Sequence, residues 1–507
     1  MKLSIIIPAC DEGDTIGNVI KEAKGLNPFE IIVVANGSTD NTEEIARSLN
    51  CRVISFEEKL GIDVGRAVGA KEAKGDILLF LDGDIPMHYT KLRPFVKAIQ
   101  SGQDIALNNL SWTLYRKVRA HFVAVWKLAL NFMLKREDLH VNSLVAIPHA
   151  MSKKAAERIG YKNLSVPPLA QTIAVLSGMK ISAPATVDVV TTNKIKTTHR
   201  TLIEGLPSST NLIIGDHIEA ISYLLNEKGK RGGLTDGPRK RSVLDHYGKF
   251  ARRWRKKIKY SAVIPVGEEK ETIMGVIEEV RKAGVEEIIV IGNGADRETI
   301  KKARSMGAIV LDFPYALGHN VPRAIGAMHS NGEVCLFVDG DIVIKAEDLR
   351  PFLEAGAKGV HVAVNDLDRF LDRFHPIHCI SAAKQALMLA AKRQDLSINT
   401  MTAIPHAIRR EVFEKIGYET LIVPPLAQVL AIEHGFIVKA VHEVDVITTN
   451  RIRKDHKKVN NNLPSSTERI LGDHAEALHH LIQKTNKRGG FTDGGRNQDV
   501  LERLDNT

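Results

Sequence analysis

Ile77-Leu-Leu-Phe-Leu-Asp-Gly-Asp84 is an apolar run that stops abruptly at two carboxylates separated by one glycine. It reads as a buried strand that delivers acids to a cleft. Positions i and i+2 of an extended chain project to the same side, so Asp82 and Asp84 can face one ligand, and Gly83 keeps bulk out of the gap. Two hard carboxylates so placed suit a divalent metal carrying a diphosphate. Mg²⁺ or Mn²⁺ would take the remaining ligands from water and phosphate oxygens. A strand that merely ends in a polar turn would look the same, but Val334-Cys-Leu-Phe-Val-Asp-Gly-Asp341 repeats the device with Asp339 and Asp341.

The second copy exposes the plan of the chain. Residues 82 and 339, 149 and 406, 167 and 424, and 216 and 473 are each 257 apart. Shared strings include Ala-Ile-Pro-His-Ala at 146–150 and 403–407, Val-Pro-Pro-Leu-Ala-Gln at 166–171 and 423–428, and Leu-Pro-Ser-Ser-Thr at 206–210 and 463–467. Repeats this long are domains rather than units of a solenoid, whose periods run to tens of residues. The expected division is a domain over 1–245, a basic linker over 246–258, and a second domain over 259–507.

A chain of 507 residues with 44% hydrophobic content can bury two substantial cores. Met1-Lys2-Leu3-Ser4 runs straight into a strand-like Ile5-Ile6-Ile7-Pro8, which leaves no room for a signal peptide. The longest apolar helix candidate, Val118 to Leu134, contains Arg119, His121 and Lys127 and is too short to span a bilayer. A cytoplasmic protein is expected. Cys10, Cys51, Cys335 and Cys379 show no metal-ligand spacing and read as reduced and packed.

The net charge of +10 is concentrated in Pro238 to Tyr260, which holds Arg239, Lys240, Arg241, Lys249, Arg252, Arg253, Arg255, Lys256, Lys257 and Lys259 around Trp254. A solvated linker is the default reading. A basic segment with an aromatic anchor can also make peripheral contact with an anionic membrane. Nucleic acid is not expected as a partner, because no nucleic-acid module accompanies the patch.

Taken in order, Leu3 to Ile7 is a strand. Ile16, Val19, Ile20 and Ala23 then recur at helical spacing, with Asp14 and Thr15 as cap candidates. Glu30 to Ala35 is a second strand, Thr42 to Leu49 a helix, Arg52 to Ser55 a short strand and Val64 to Ala73 a helix before the acid strand. Such alternation predicts a mostly parallel sheet with helices on its faces. Ligands bind such sheets beyond the carboxyl ends of the strands, where Asp11, Asn36 and the acid pair fall. Neither a dinucleotide glycine fingerprint nor a Walker A loop is present.

Ser4-Ile-Ile-Ile-Pro-Ala-Cys-Asp-Glu12, Ile31-Ile-Val-Val-Ala-Asn-Gly-Ser-Thr-Asp40 and Leu79-Phe-Leu-Asp-Gly-Asp84 together resemble the nucleotide-sugar glycosyltransferases of the GT-A fold, in particular glycosyltransferase family 2. The resemblance covers roughly the first hundred residues of each half. It implies two tandem α/β domains of GT-A type, and transfer of a sugar from a nucleotide diphosphate sugar, a UDP-sugar by expectation, to a hydroxyl acceptor with Mn²⁺ or Mg²⁺. Carried over, Pro8, Ala9, Asp11, Glu12, Asn36 and Gly37 border the nucleobase and ribose, and Arg66 approaches the diphosphate beside Asp82 and Gly83. Asp82 and Asp84 hold the metal. Pro265, Glu268, Asn293, Arg323 and Asp339 take the matching places in the second half, and Asp341 matches Asp84.

Two departures shape the chemical expectation. Cys10 stands where an aromatic often stacks on the base, and Asn36 replaces an aspartate. Inverting members of the family place an acidic general base where this chain has Val166-Pro-Pro-Leu-Ala-Gln171, and neither proline nor glutamine can serve. Retention of anomeric configuration, or an unusual base drawn from His149 or Asp188, is therefore expected. Histidines recur in both halves: His149 with His406, His199 with His456, and His217 with His474. In retaining GT-A enzymes similar to mannosylglycerate and glucosyl-phosphoglycerate synthases a late-loop histidine completes the metal site. His199 and His456 fit that position best, with His217 and His474 next in a turn-like Gly-Asp-His. Neutral imidazole is an acceptable ligand for Mn²⁺.

Trp112, Tyr115, Trp126 and Phe132, in the segment where the fold family builds its acceptor site, read chiefly as core. The acceptor itself is not legible, although envelope polysaccharides and glycolipids are the usual destinations of such enzymes in bacteria. Two other functions compete. A sugar-phosphate nucleotidyltransferase would need a glycine-rich basic loop after the first strand, which is missing, whereas binding of a nucleotide sugar or glycan without turnover remains open. The turn Pro265-Val-Gly-Glu-Glu269 has drifted from the family pattern, so the first half is expected to be the better donor site.

Overall fold

The structure, a computed structural model, describes residues 1–191, 201–203, 205–247, 258–448 and 463–505. The chain forms two compact units, one made of Met1–Gly232 with Ile482–Thr507 and the other of Gly233–Leu481. These units divide differently from the expected 1–245 and 259–507, because the end of each repeat belongs to the other repeat's unit.

In the first unit seven strands form one sheet: β1 (Leu3–Ala9), β2 (Glu30–Asn36), β3 (Arg52–Phe56), β4 (Ile77–Phe80), β5 (Ile105–Asn108), β6 (His149–Ser152) and β7 (Ile181–Ala185). Their order is β3-β2-β1-β4-β6-β5-β7. β6 is antiparallel to its neighbours β4 and β5, and the other pairings are parallel. The helices are α1 (Gly13–Lys24), α2 (Thr42–Ser48), α3 (Val64–Glu72), α4 (Tyr89–Gln100), α5 (Phe122–Met133), α6 (Lys153–Ile159), α7 (Pro167–Leu176) and α8 (Ser208–Lys228). A short ribbon of β8 (Leu202–Ile203) and β9 (Leu206–Pro207) precedes α8.

The second unit begins with α9 (Val243–Tyr247) and repeats the sheet with β10 (Ile258–Val266), β11 (Glu287–Asn293), β12 (Ile309–Phe313), β13 (Gly332–Phe337), β14 (Val362–Asn365), β15 (His406–Arg409) and β16 (Val438–His442). The order is β12-β11-β10-β13-β15-β14-β16. Its helices are α10 (Ile273–Lys282), α11 (Arg297–Ser305), α12 (Val321–His329), α13 (Ala346–Ala357), α14 (Phe370–Arg373), α15 (Cys379–Ala390), α16 (Arg410–Ile416), α17 (Pro424–Glu433) and α18 (Ser465–Lys484). The final helix, α19 (Gln498–Asp505), lies in the first unit and packs against α3.

The strands form where the sequence is continuously apolar, because helices cover both faces of a parallel sheet. Ile5, Ile6 and Ile7 of β1 are all fully buried, and each such side chain contributes roughly 1.5–3 kcal/mol. α1 buries Ile16, Val19, Ile20 and Ala23, the four positions that the helical spacing picked out. All four cysteines are free thiols, and Cys335 and Cys379 are buried.

Several local expectations are corrected. The first is the cap of α1: the helix starts at Gly13 with the Glu12 carbonyl accepting from Thr15 and Ile16, so Asp14 and Thr15 sit inside its first turn. Asp188, a candidate base in the sequence, lies beyond the end of β7 at Ala185, where its carboxylate accepts from the amides of Val190 and Thr191 and turns the chain. Gly215-Asp-His217 and Gly472-Asp-His474 are helix interior in α8 and α18 rather than turns. Arg239 and Arg241 are not part of a solvated linker: both are ion-paired within the second unit, to Asp473 and Glu476. Lys249 to Lys257, with Trp254 and the membrane contact suggested for them, lie outside the described residues. Among the described residues no helix is long and apolar enough to cross a membrane.

Candidate active site

The carboxyl ends of β1, β2 and β4 converge at Ala9, Asn36 and Asp82. Gly83 fits closely there, since a Cβ on it would stand 3.1 Å from the Ala9 Cβ. Gly340 is tighter still, at 2.7 Å from a Val266 methyl. Thr15 Oγ1 donates to the Gly83 carbonyl at 2.9 Å, and Thr272 repeats this to Gly340 at 2.6 Å. The hinge of each acid pair is thereby tied to the first turn of a helix.

Arg66 lies at the start of α3, where its Nη2 donates to Asp82 Oδ1 at 2.7 Å and its Nη1 lies 2.6 Å from Asp63 Oδ1. Burial works against its charge, but the Asp63 and Asp82 carboxylates outweigh it and raise the guanidinium above its ordinary value. Asp63 caps α3 in a left-handed conformation, with φ of 65°. The second unit substitutes Asn320 at φ 68°, which accepts from Arg323 at 2.7 Å, while Arg323 donates to Asp339 at 2.6 Å. Asp84 and Asp341 are both largely buried.

At the other end of the site Asp11, at φ 56°, accepts from the Thr39 amide at 2.7 Å and its hydroxyl at 3.1 Å. These bonds, the amide foremost, hold its carboxyl below the usual range. Asn36 accepts from the Leu60 amide and donates to the Gly61 carbonyl. Gly37, at φ 62°, needs its missing side chain because a Cβ would meet the Lys59 nitrogen at 2.8 Å. Glu12 donates its amide to Thr42 Oγ1 at 2.8 Å. In the second unit Pro265, Asn293, Gly318, His319, Arg323 and Asp339 line one cleft. Glu268 is solvent-exposed outside that lining, whereas Glu269 turns back onto the Gly267 amide.

The candidate bases sit less favourably. His149 is buried, stacked on Phe80 with ring centroids 4.8 Å apart, and its Nδ1 is 3.0 Å from the Ala146 carbonyl oxygen. Burial, followed by the Arg66 charge, pushes its pKa down to about 3, so it stands neutral as a wall of the pocket below Arg66. His406 repeats this against Phe337. Asp188 spends its oxygens on Val190 and Thr191, and its carboxyl is held below the ordinary range chiefly by the Thr191 hydroxyl. Gln171 is an internal link: it accepts from the Leu144 amide at 3.0 Å and donates to Asn131 at 2.7 Å.

His217 and His474 are fully buried inside α8 and α18, and each has Nδ1 2.7 Å from the carbonyl oxygen four residues earlier. Their ring neighbourhoods contain the buried cations Lys127 and Lys384, which disfavour a metal ion there. His199 and His456 lie outside the described residues. Among the described residues no three His, Cys, Asp or Glu side chains cluster as a metal cage. Two carboxylates at the acid pair still fit Mg²⁺ or Mn²⁺, which commonly use one or two carboxylates and complete the shell with water and phosphate oxygens.

Trp126, from the aromatic segment, is fully buried as expected of core, whereas Tyr115 is exposed. Residues that the sequence reading passed over are Asp63 and Asn320, which hold the two arginines, and Arg496, which with Arg239, read there as linker charge, holds the loops before α3 and α12. The signal for the latter pair is a repeated string, Arg-Gly-Gly-x-Thr-Asp-Gly-x-Arg, at 231–239 and 488–496.

The family model of glycosyl transferase family 2 matches residues 4–159 and 261–417, more than half the chain. Among curated proteins the chain is 33% identical over 121 residues to glycosyltransferase AglE of Haloferax volcanii, covering 22% of this chain and 40% of that protein. It is 31% identical over 134 residues to dolichol-phosphate mannosyltransferase of Pyrococcus furiosus, covering 23% and 38%. With glucosyl-3-phosphoglycerate synthase of Mycolicibacterium paratuberculosis it shares 38% over 95 residues, covering 16% and 28%. The matches thus span well under half the length of these relatives. A crystal structure of glucosyl-3-phosphoglycerate synthase from Mycobacterium tuberculosis with Mn²⁺, UDP-glucose and phosphoglyceric acid is similar at 19% identity and a TM-score of 0.34, covering 47% of this chain and 81% of that one.

Proposed function

Because the chain belongs to glycosyl transferase family 2, with two α/β units of GT-A type, we propose that it moves a sugar from a nucleotide diphosphate sugar, a UDP-sugar in the first instance, to a hydroxyl acceptor. The observation that carries this reading is the duplicated acid pair at a strand's carboxyl end with an arginine salt-bridged to its first member, Arg66 to Asp82 and Arg323 to Asp339. Asp84 and Asp341 would hold Mn²⁺ or Mg²⁺, with Asp82 and Asp339 beside them. When bound, the metal neutralises the charge of the departing diphosphate.

Asn36 and Asp11 would border the nucleobase and ribose, as would Asn293, which matches Asn36, in the second unit. Arg66, already charged and partnered, can exchange its Asp82 bond for a phosphate oxygen at little cost, because guanidinium binds carboxylate and phosphate with the same fork. His149, neutral and stacked, supports Arg66 from below without acting as a base.

The test is thermal shift and calorimetry with UDP, other nucleoside diphosphates and their sugars, with and without Mn²⁺. A ligand at a hundred times its Kd stabilises the folded state by about 2.7 kcal/mol, an easily read shift. Metal-dependent stabilisation by UDP-sugars supports the reading. Absence of any response to nucleotides would overturn it.

A further inference from the structure

The last segment of each repeat closes the loop that carries the arginine of the other repeat's unit. In the first unit Arg496 is almost fully buried and grips Asp216 of α8 with both Nη atoms, at 2.9 and 2.8 Å. Its Nε donates to the Ile62 carbonyl at 3.1 Å, and the next amide, Asn497, donates to the Leu60 carbonyl at 2.8 Å. Gly61, at φ 89°, lies so close beneath that a Cβ would stand 2.8 Å from the Arg496 Cα. Leu60 in turn donates to Asn36, and the loop runs on to Asp63 and Arg66. One guanidinium and one amide therefore fix the stretch between the Leu60 contact with Asn36 and Arg66.

The second unit contains the same device with different residues around it. Arg239 grips Asp473 at 2.6 and 2.7 Å, its Nε donates to the His319 carbonyl at 3.1 Å, and Lys240 donates to Leu317 at 2.9 Å. A Cβ on Gly318, at φ 87°, would stand 2.7 Å from the Arg239 Cα. Leu317 donates to Asn293 as Leu60 does to Asn36. A buried bidentate pair of this kind costs desolvation and is weak evidence for stability as such. Its repetition at the two loops, each time against a glycine and the same two carbonyl positions, points to placement.

We propose that Arg496 and Arg239 are positioning residues for the two donor clefts, and that each cleft is completed by the chain segment that ends the other repeat. Arg496, encoded after the second Asp-Gly-Asp, sets the loop that aims Arg66 beside the first. Arg239, encoded after the first, sets the loop that aims Arg323 beside the second. The identity of the ligand as a nucleoside diphosphate rests on the function proposed above; the bracing of the loops does not.

The experiment uses the full chain with Arg496→Met, the more conservative Arg496→Lys, and the double variant Arg496→Met with Asp216→Asn, which removes the carboxylate that the single change would strip of one partner. Hydrogen exchange read by mass spectrometry should quicken about tenfold or more in peptides covering 58–66 and stay unchanged in peptides covering 316–323 and in α1. Arg239→Met should give the mirror image. Titration with UDP and Mn²⁺ in an Asp341→Ala background should show Kd rising at least tenfold for Arg496→Met, with partial recovery in Arg496→Lys. Unchanged exchange at 58–66 in all three variants overturns the proposal, as does quickened exchange with unchanged UDP affinity. Faster exchange throughout the unit in every variant also overturns it, because Arg496 would then be a general structural residue. If the wild-type protein does not bind UDP at all, the donor assignment fails and the exchange result alone decides the positioning role.

Discussion

Arg66 and Asp82, sixteen residues apart, form a 2.7 Å ion pair beyond the carboxyl end of β4, and Arg323 and Asp339 repeat it at 2.6 Å beyond β13. The pair keeps a buried cation in place before any phosphate arrives. Arg66→Lys retains the charge and loses the fork, so it cannot hold Asp63 and Asp82 together while meeting a diphosphate. In an Asp341→Ala background we expect UDP affinity at the first site to fall about tenfold to a hundredfold, the loss of one or two charge-assisted hydrogen bonds. Calorimetry that shows an unchanged Kd would remove Arg66 from the phosphate site.

Asp84→Ala combined with Asp341→Ala is expected to abolish sugar transfer, and EDTA should do the same to the unmodified protein. Both residues follow strand ends rather than fill the cores, so the melting temperature should move by only a few degrees. Full turnover in EDTA would contradict a metal role for the acid pairs.

Four buried imidazoles predict an acid-sensitive fold. Burial, the largest cause at each site, lowers the pKa to about 3 at His149 and His406 and to about 4 at His217 and His474. An imidazole with a depressed folded pKa binds fewer protons folded than unfolded. Its contribution is complete above its unfolded pKa near 6.5 and is lost as pH falls toward the folded value. With two such groups in each unit, stability should decline by up to about 2.5 kcal/mol per pH unit below pH 6. Urea titrations at pH 7.5 and 5.5 measure this directly, and equal midpoints would mean that the rings are hydrated or charged in the folded state.

Much of the fold was legible because its signals are local. The apolar strands and the Asp-Gly-Asp pairs each sit within a few residues, the duplication shows as short strings repeated 257 residues on, and β1 to β4 fall within a residue or two of the expected bounds. What the sequence hid was non-local or depended on direction. Asp188 stops a strand by folding onto its own Thr191, Gly-Asp-His looks like a turn yet lies inside α8, and nothing near Arg239 or Arg496 reveals that each closes a loop far away in sequence. His217 offered metal-ligand chemistry by residue type, but the structure places it beside Lys127.

On the proposed function, stereochemistry turns on the residues where the resemblance leads one to expect a base. Gln171 is fixed between Leu144 and Asn131, His149 is neutral and stacked, and the Asp188 carboxyl is held low by Thr191. None offers a base poised near neutral pH. We expect the product to retain the donor's anomeric configuration, which NMR of the first-formed glycoside would show. An inverted product with its rate lost in Asp188→Asn would restore Asp188 as the base.

The two clefts should differ in what they read. The first keeps Asp11 bonded to Thr39, with Lys59 3.8 Å from its second oxygen, an ordered edge that the function proposed above gives to the nucleobase and ribose. The second has Glu269 turned back onto Gly267 and Glu268 in solvent. At the end proposed to take the phosphates the balance reverses: Arg66 shares two carboxylates, whereas Arg323 has the neutral Asn320 in place of Asp63. Removing one negative charge a few ångströms from a diphosphate is worth about 1 kcal/mol or more at intermediate dielectric, roughly fivefold in affinity. We therefore expect the second site, isolated in an Asp84→Ala background, to bind pyrophosphate with Mn²⁺ more tightly, and the first, isolated in Asp341→Ala, to discriminate more sharply among nucleobases. Asp63→Asn should raise pyrophosphate affinity at the first site toward that of the second. If calorimetry finds the two sites equal for pyrophosphate and for UDP against GDP, the differences between Asp63 and Asn320 and between Asp11 and Glu268 are neutral drift.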